Sequence, residues 1–174
     1  MEIIEGGHAI DSLGIGRAYL YAEADRLTLI DTGLAGSADR IFAAIEAAGR
    51  KAGDLRQIII THCHNDHTGS LADGDEIDLD GGAKVLHVPG HTAGSIALHL
   101  PQRRLLFAGD AAVNALGLGP PSGPFGMFNV DRAQTRESFR KLAELDFDVA
   151  CFGHGKPLDK DASRAFRRAA EKLG

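Results

Sequence analysis

The chain has 174 residues and a formal net charge of -5 at pH 7. This length suits one domain, and the negative charge gives no electrostatic footprint for nucleic acid. The sequence contains no run of 18 apolar residues, and residues 1–5 lack a secretory signal pattern, so we expect neither a membrane-spanning helix nor export. Two cysteines form no disulfide framework, which favours a reducing cytoplasm. We therefore predict a single cytoplasmic domain over residues 1–174.

The first third of the chain predicts a hairpin, a helix and a strand, in that order. Two apolar runs, residues 17–24 and 26–31, flank a short polar turn and indicate paired strands. Ser37 is a candidate N-cap for a helix that Gly49 ends. Residues 56–61 contain three consecutive isoleucines, a pattern typical of a buried strand.

The rest of the chain predicts more strands, followed by two helices around a short strand. The predicted strands are residues 75–79, 84–88, 95–100, 104–108 and 147–152. The predicted helices are residues 131–145 and 161–173, and residues 114–127, rich in Gly and Pro, form the one long loop. This order indicates sheets covered by helices in one α/β domain.

The strongest chemical pattern directly follows the isoleucine-rich strand. His62, His64, Asp66 and His67 place three histidines and a carboxylate within six residues. Imidazole and carboxylate ligands suit zinc and its first-row neighbours. A tight turn lets His62 and His64 point one way while Asp66 and His67 point another, so one segment can supply two adjacent ions. A solvated polar loop is the competing interpretation, disfavoured because such dense clusters are rare outside metal sites.

Three further candidate ligands each follow a predicted strand and lie beside glycine. They are His91, Asp110 and His154. Glycine beside a ligand permits sharp turns and a close approach of the backbone. Each residue alone is weak evidence, since a lone histidine after a strand is usually a surface residue. Together they supply the carboxylate and two histidines that complete two coordination shells.

These motifs resemble the metallo-β-lactamase superfamily in type and in order. The motifs are His-x-His-x-Asp-His at 62–67, Gly-His-Thr-x-Gly-Ser at 90–95, Gly-Asp at 109–110, Gly-His-Gly at 153–155 and Asp-Thr-Gly at 31–33. The resemblance implies an αββα sandwich of two mixed sheets flanked by helices. It also implies that Asp31 supports the metal cluster without binding a metal itself. An aspartate that only stabilises a turn is an equally good interpretation.

The resemblance further implies how the seven ligands divide between two divalent ions. His62, His64 and His91 would hold one ion. Asp66, His67 and His154 would hold the other, and Asp110 would bridge them. Zinc is the first choice, with iron or manganese as alternatives, and Asp66 and Asp110 are the predicted catalytic residues.

The predicted activity is hydrolysis of a small molecule. Two cations that share a water lower its pKa, and the resulting bridging hydroxide attacks a carbonyl or phosphoryl centre. Asp110 at the bridging position argues against a true β-lactamase, since those enzymes usually carry Cys or Ser there. A small uncharged ester, lactone or thioester is the expected substrate. The glyoxalase II branch adds a C-terminal helical domain for glutathione, which we do not expect here because the chain ends too soon for it.

Two other classes stay open from the sequence alone. Relatives in the superfamily bind iron and act as oxygen reductases or sulfur dioxygenases. A non-catalytic, metal-stabilised binding module is the third interpretation, disfavoured because every ligand position is intact.

The segment between His67 and His91 has only 23 residues. The family normally places a helix and at least one additional strand there. Either a stretch is omitted or the chain is a compact variant. We expect a chain break between about residues 69 and 75 or a rearranged first half. If the chain is continuous, loss of a covering helix exposes an apolar patch, and we then expect a homo-oligomer.

Overall fold

The computed structural model describes residues 1–10, 13, 17–33, 37–62, 76–77, 79–114 and 129–173. The chain forms two compact units, residues 1–69 and residues 70–174. Each unit contains one five-stranded sheet. No helix within the described ranges is long and apolar enough to cross a membrane. The single domain expected over residues 1–174 stays a prediction.

The sheet of the first unit follows the order of the sequence, β1-β2-β3-β4-β5. Its strands are Glu2–Ile4, Gly7–Ile10, Ala18–Ala22, Leu27–Ile30 and Leu55–Ile59, numbered β1 to β5. All neighbours are antiparallel except β4 and β5, which are parallel. Helix α1, Ala38–Ala47, connects these two parallel strands and packs Ile41 and Ile45 with buried residues of the sheet such as Leu20 and Leu29. Parallel neighbours require such a crossover.

The structure of this unit differs from the sequence predictions in two places. Strands β1 and β2 were not predicted, because runs of three and four residues around glycines give little periodicity. Strand β5 was expected to be buried, yet it alternates between exposed and covered residues, and Ile58 is 53% exposed. Among the described strands, β5 pairs only with β4, so it is an edge strand. The predicted hairpin is present as β3 and β4, and Ser37 is the N-cap of α1.

The sheet of the second unit has the order β10-β9-β8-β7-β6. Its strands are Glu76–Ile77, Ala83–His87, Ile96–Leu100, Leu105–Phe107 and Val149–Cys151, numbered β6 to β10. Consecutive strands are antiparallel from β6 to β9, and β9 pairs with β10 in parallel. All five predicted strands of this half are therefore present.

Two helices complete the second unit and build its core. They are α2, Arg132–Ala143, and α3, Ala162–Glu171. The ring of Phe166 stacks on Phe139 at 5.0 Å and meets Phe147 edge-on at 5.1 Å. Asp131 caps α2 because its carboxylate accepts hydrogen bonds from two backbone N–H groups of the first turn. The helix N-terminus predicted from the sequence is thereby confirmed.

Candidate metal centre

Strand direction brings three of the predicted ligands to one edge of the second sheet. Strands β7, β9 and β10 run in the same direction, since β8 is antiparallel to both β7 and β9. His91 follows β7, Asp110 follows β9 and His154 follows β10. The carboxyl ends of co-directional strands meet at the same edge, so these three side chains come together although 63 positions separate the first from the last.

Asp110 lies at the centre of this group. Its Oδ2 atom is 3.3 Å from Nε2 of His91 and 3.1 Å from Nε2 of His154. His91 and Asp110 are 4% and 5% exposed, whereas the side chain of His154 is 30% exposed. Two imidazole nitrogens and one carboxylate oxygen thus converge in a mostly buried space that opens towards solvent at His154.

This donor set fits a divalent cation. Nitrogen and carboxylate oxygen are the ligands of zinc and its neighbours, and a buried carboxylate is costly unless positive charge compensates it. Nε2 of both histidines faces the same oxygen, which is the orientation that a shared cation needs. The three residues therefore have the chemistry and the convergence of a metal site.

Glycines beside the ligands are required by close contacts. A Cβ atom at Gly153 would lie 1.9 Å from Oδ1 of Asp110, so only glycine permits the observed carboxylate position. A Cβ atom at Gly90 would lie 2.3 Å from the backbone nitrogen of Thr135, at the start of α2. Both glycines adjoin a candidate ligand histidine, which explains the Gly-His pairs in the sequence.

Two asparagines that the sequence motifs do not include contact the two candidate ligand histidines. Asn114 is buried, its backbone N–H donates to the carbonyl of His154, and its side chain donates to the carbonyl of Lys156. Asn129 places Oδ1 3.2 Å from Nδ1 of His91. Asn114 is the first residue of the predicted long loop and Asn129 lies two residues beyond its end. No periodic pattern marks either residue, so only tertiary contacts reveal their positions.

The rest of the 90–95 motif stabilises the turn that carries His91. The hydroxyl groups of Thr92 and Ser95 lie 2.9 Å apart, and the backbone N–H of Thr92 donates to Oγ of Ser95. Val88 then donates from its backbone N–H to the carbonyl of Ser95. Threonine and serine in this motif therefore close the turn locally.

In the first unit, Asp31 connects to His62 through Thr61. One carboxylate oxygen of Asp31 accepts from the backbone N–H of Thr61 at 2.8 Å, and the other accepts from its hydroxyl at 2.7 Å. The same hydroxyl is 3.1 Å from Nδ1 of His62. Asp31 has a φ of 57°, in the left-handed region that Asp tolerates better than most residues. A strained, buried aspartate thus holds the residue that precedes the first predicted ligand.

Several sequence predictions fall outside the described residues. They include the predicted ligands His64, Asp66 and His67, and the chain break or rearrangement expected at residues 69–75. Most of the predicted long loop, residues 115–127, also lies outside them.

Histidines without a motif have structural contacts. His99 is buried, donates from Nε2 to the carbonyl of Asp146 at 3.2 Å and meets the ring of Phe147 edge-on. Burial lowers the pKa of His99 because it penalises the charged imidazolium. His87 has Nε2 2.7 Å from the carbonyl of Ala93.

Solved structures with a similar fold are metallo-beta-lactamases and their relatives. A metallo-beta-lactamase family protein from Thermus thermophilus has a TM-score of 0.73 and 20% identity, covering 98% of this chain and 80% of that chain. A subclass B3 metallo-beta-lactamase of Bradyrhizobium japonicum has a TM-score of 0.72 and 18% identity, covering 99% and 89%. The described part of this chain has two mixed sheets and three α-helices. Together with these structural similarities, this confirms the predicted α/β sandwich of two mixed sheets flanked by helices.

Relatives by sequence carry residues that this chain lacks. A hydroxyacylglutathione hydrolase of Rhizobium etli is 32% identical over 166 residues, covering 73% of this chain and 62% of the relative. Since 73% of 174 residues is about 127, about 39 of the 166 positions fall opposite gaps in this chain. The superfamily's sequence model matches in two pieces, and these overlap at residues 71–77. This agrees with the short segment noted between His67 and His91.

Family membership follows from matches along most of the chain. The two pieces that match the metallo-beta-lactamase superfamily are residues 11–77 and 71–154. A hydroxyacylglutathione hydrolase of Ruegeria pomeroyi is 32% identical, covering 88% of this chain and 71% of the relative. The chain therefore belongs to the metallo-beta-lactamase superfamily.

Proposed function

We propose that the protein is a metal-dependent hydrolase with a dinuclear centre that cleaves a small ester, lactone or thioester. The observation that carries this proposal is the buried carboxylate of Asp110 with two imidazole nitrogens within 3.3 Å of one oxygen. Family membership supports the same chemistry. Zinc is the proposed metal, with iron or manganese as alternatives.

The proposed ligand assignment extends the described site by the histidine-rich segment. The first ion would be held by His62, His64 and His91. The second would be held by Asp66, His67 and His154. Asp110 would serve both ions, and Asp66 and Asp110 are the proposed catalytic residues because their carboxylates supply the negative charge of the centre.

Divalent ions in such a site supply a water of lowered pKa and polarise the scissile carbonyl. The protein's part is to hold the ligands rigidly. Gly153 lets the backbone of the His154 segment pack directly on Asp110, and the backbone N–H of Gly153 donates to the carbonyl of Gly109 at 2.9 Å. Oδ1 of Asp110 therefore lies against Gly153, while Oδ2 faces the two histidines.

The names of the relatives favour a thioester within the proposed substrate class. Relatives named hydroxyacylglutathione hydrolase match 73% and 88% of this chain. The bond that joins an acyl group to the glutathione sulfur is a thioester. The chain spans 62% of the Rhizobium etli relative's own length, so activity towards an acylglutathione is a proposal for this protein.

A combined metal and substrate test decides the proposed function. Protein purified without chelator should approach two zinc, iron or manganese ions per chain by elemental analysis. The loaded protein should hydrolyse at least one of an acylglutathione, a thioester of another thiol, an aryl ester or a lactone, and chelation should abolish this. A stoichiometry that stays at one ion after reconstitution contradicts the dinuclear centre. Full metal content without hydrolysis of any of these substrates contradicts the hydrolase assignment.

We also propose that the protein is a cytoplasmic homo-oligomer. Its substrate is a small molecule, and it binds neither nucleic acid nor a membrane. The exposed Ile58 on the edge strand β5 supports self-association, because apolar edge strands favour pairing with another chain. Sedimentation equilibrium should give a mass above 18.4 kDa. A monomer at all concentrations contradicts this part of the proposal.

A further inference from the structure

The loop that carries His91 is bound along its length to helix α2. Ser138 donates from its hydroxyl to the carbonyl of Pro89 at 2.7 Å, and Lys141 donates from Nζ to the carbonyl of His87 at 3.2 Å. Thr135 packs so closely on Gly90 that no side chain fits there. Helix α2 thus fixes the backbone on the N-terminal side of His91.

The residues just before α2 extend this contact to His91 itself. The backbone N–H of Asp131 donates to the carbonyl of Gly90 at 2.8 Å, and that of Val130 donates to the carbonyl of His91 at 3.3 Å. Asp131 also caps α2, so the helix and the ligand loop share one hydrogen-bonded junction. Asn129 stands at the end of this junction, with its side chain directed at the ring of His91.

The ring of His91 has a different partner on each nitrogen. Nδ1 is 3.2 Å from Oδ1 of Asn129, while Nε2 is 3.3 Å from Oδ2 of Asp110. An amide oxygen only accepts hydrogen bonds, so a neutral imidazole that bonds to Asn129 carries its proton on Nδ1. In that tautomer the lone pair lies on Nε2, on the side of Asp110, where a cation between the two atoms would bind it. A ligand histidine generally needs such an outer partner to hold its tautomer and ring plane.

We propose that Asn129 is a positioning residue that fixes the tautomer and ring plane of His91, so that Nε2 is presented to the metal centre. Asn129 acts through His91, and the backbone pairs of Val130 and Asp131 hold the amide in place. This proposal rests on the metal centre of the proposed function. According to this proposal, metal affinity also depends on Asn129, a residue outside the histidine and aspartate motifs.

Metal affinity is the first test. Asn129→Leu removes the hydrogen-bond acceptor but keeps a side chain of similar size, and Asn129→Ala removes the acceptor without adding bulk. Two variants are used so that a folding defect in one of them does not decide the outcome. Zinc affinity, measured by competition with a chromophoric chelator, should fall by about 10- to 100-fold in both. Asn129→Asp keeps an acceptor and should bind zinc at least as tightly as the wild type. Gln134→Leu, an exposed amide on the first turn of α2, is the matched control and should bind like the wild type.

A second readout separates positioning from general stability. In the cobalt-substituted protein, the Nδ1–H proton of His91 gives a shifted NMR resonance, assigned by its loss in His91→Gln. It should exchange slowly with solvent in the wild type and in Asn129→Asp, and faster in Asn129→Leu and Asn129→Ala. Unchanged affinity and exchange in these last two variants would overturn the proposal, as would equal losses in Asn129→Asp or Gln134→Leu. A wild type that binds no zinc or cobalt instead contradicts the proposed function.

Discussion

Asp31 in the first unit and Asp110 in the second have nearly equal burial but very different partners. They are 4% and 5% exposed, and each follows a strand beside a glycine-containing turn. Both oxygens of Asp31 accept hydrogen bonds from Thr61, whereas one oxygen of Asp110 faces two histidine nitrogens. The partners, and not the burial, therefore distinguish an aspartate that supports the fold from one that is proposed to hold a cation.

The comparison predicts that Asp110→Asn has the largest effect. The amide keeps the size but removes the charge at the centre of the site. We expect the rate of hydrolysis to fall by more than about 100-fold and the protein to lose metal. This exceeds the loss that is usual when a residue that hydrogen-bonds to a metal ligand is replaced. Elemental analysis and steady-state kinetics measure this, and circular dichroism checks that the fold is intact. Unchanged turnover with full metal content would remove Asp110 from the site.

Gly153→Ala should have the next largest effect, since its Cβ atom would lie 1.9 Å from Oδ1 of Asp110. The carboxylate or the backbone must shift, which costs about 1 to 3 kcal/mol of unfolding free energy as for other overpacked sites. Metal affinity and thermal stability should both fall. Gly94→Ala is the matched control, because no atom lies within 4 Å of a Cβ atom there. Equal effects of the two substitutions would contradict the close-contact explanation.

Asp31→Asn should have an intermediate effect. Asparagine tolerates the left-handed conformation as well as aspartate does, so the substitution tests the contacts with Thr61 and not the backbone. We expect a loss of about 10- to 100-fold in metal affinity or activity if the contact chain from Asp31 through Thr61 positions His62. Reduced stability with unchanged kinetics would assign Asp31 to the turn alone. Asp31→Gly, which relaxes the backbone but lacks both acceptors, should lose as much activity as Asp31→Asn or more.

The smallest expected effect concerns His99, a buried histidine away from the ligands. Its pKa lies below the unfolded value, so the unfolded chain binds the proton more tightly. The stability from neutral His99 is complete above the unfolded pKa of about 6.5 and is lost as the pH falls through the folded pKa. His99→Gln keeps a donor for the carbonyl of Asp146 but does not titrate. Urea unfolding of metal-free protein should show a weaker pH dependence below 6.5 in this variant, and an unchanged dependence would contradict the assignment.

Regular elements were predictable where periodicity and caps agreed. The β3–β4 hairpin, helix α1 after Ser37 and helix α2 after Asp131 all have local patterns, and the structure confirms them. Strands β1 and β2 have too few residues for periodicity. The exposure of Ile58 depends on which face of β5 is covered, and three isoleucines in sequence cannot reveal that.

The sequence by itself determined the chemical types of the candidate ligands and the family, because dense histidine and aspartate motifs beside glycine have few other uses. Tertiary structure decided which side chains meet. The common direction of β7, β9 and β10 brings His91, Asp110 and His154 to one edge, and this depends on pairing between strands far apart in the chain. It also decided the supporting residues Asn114 and Asn129. Their type is common in loops, and only packing places one on the backbone of His154 and the other on the ring of His91.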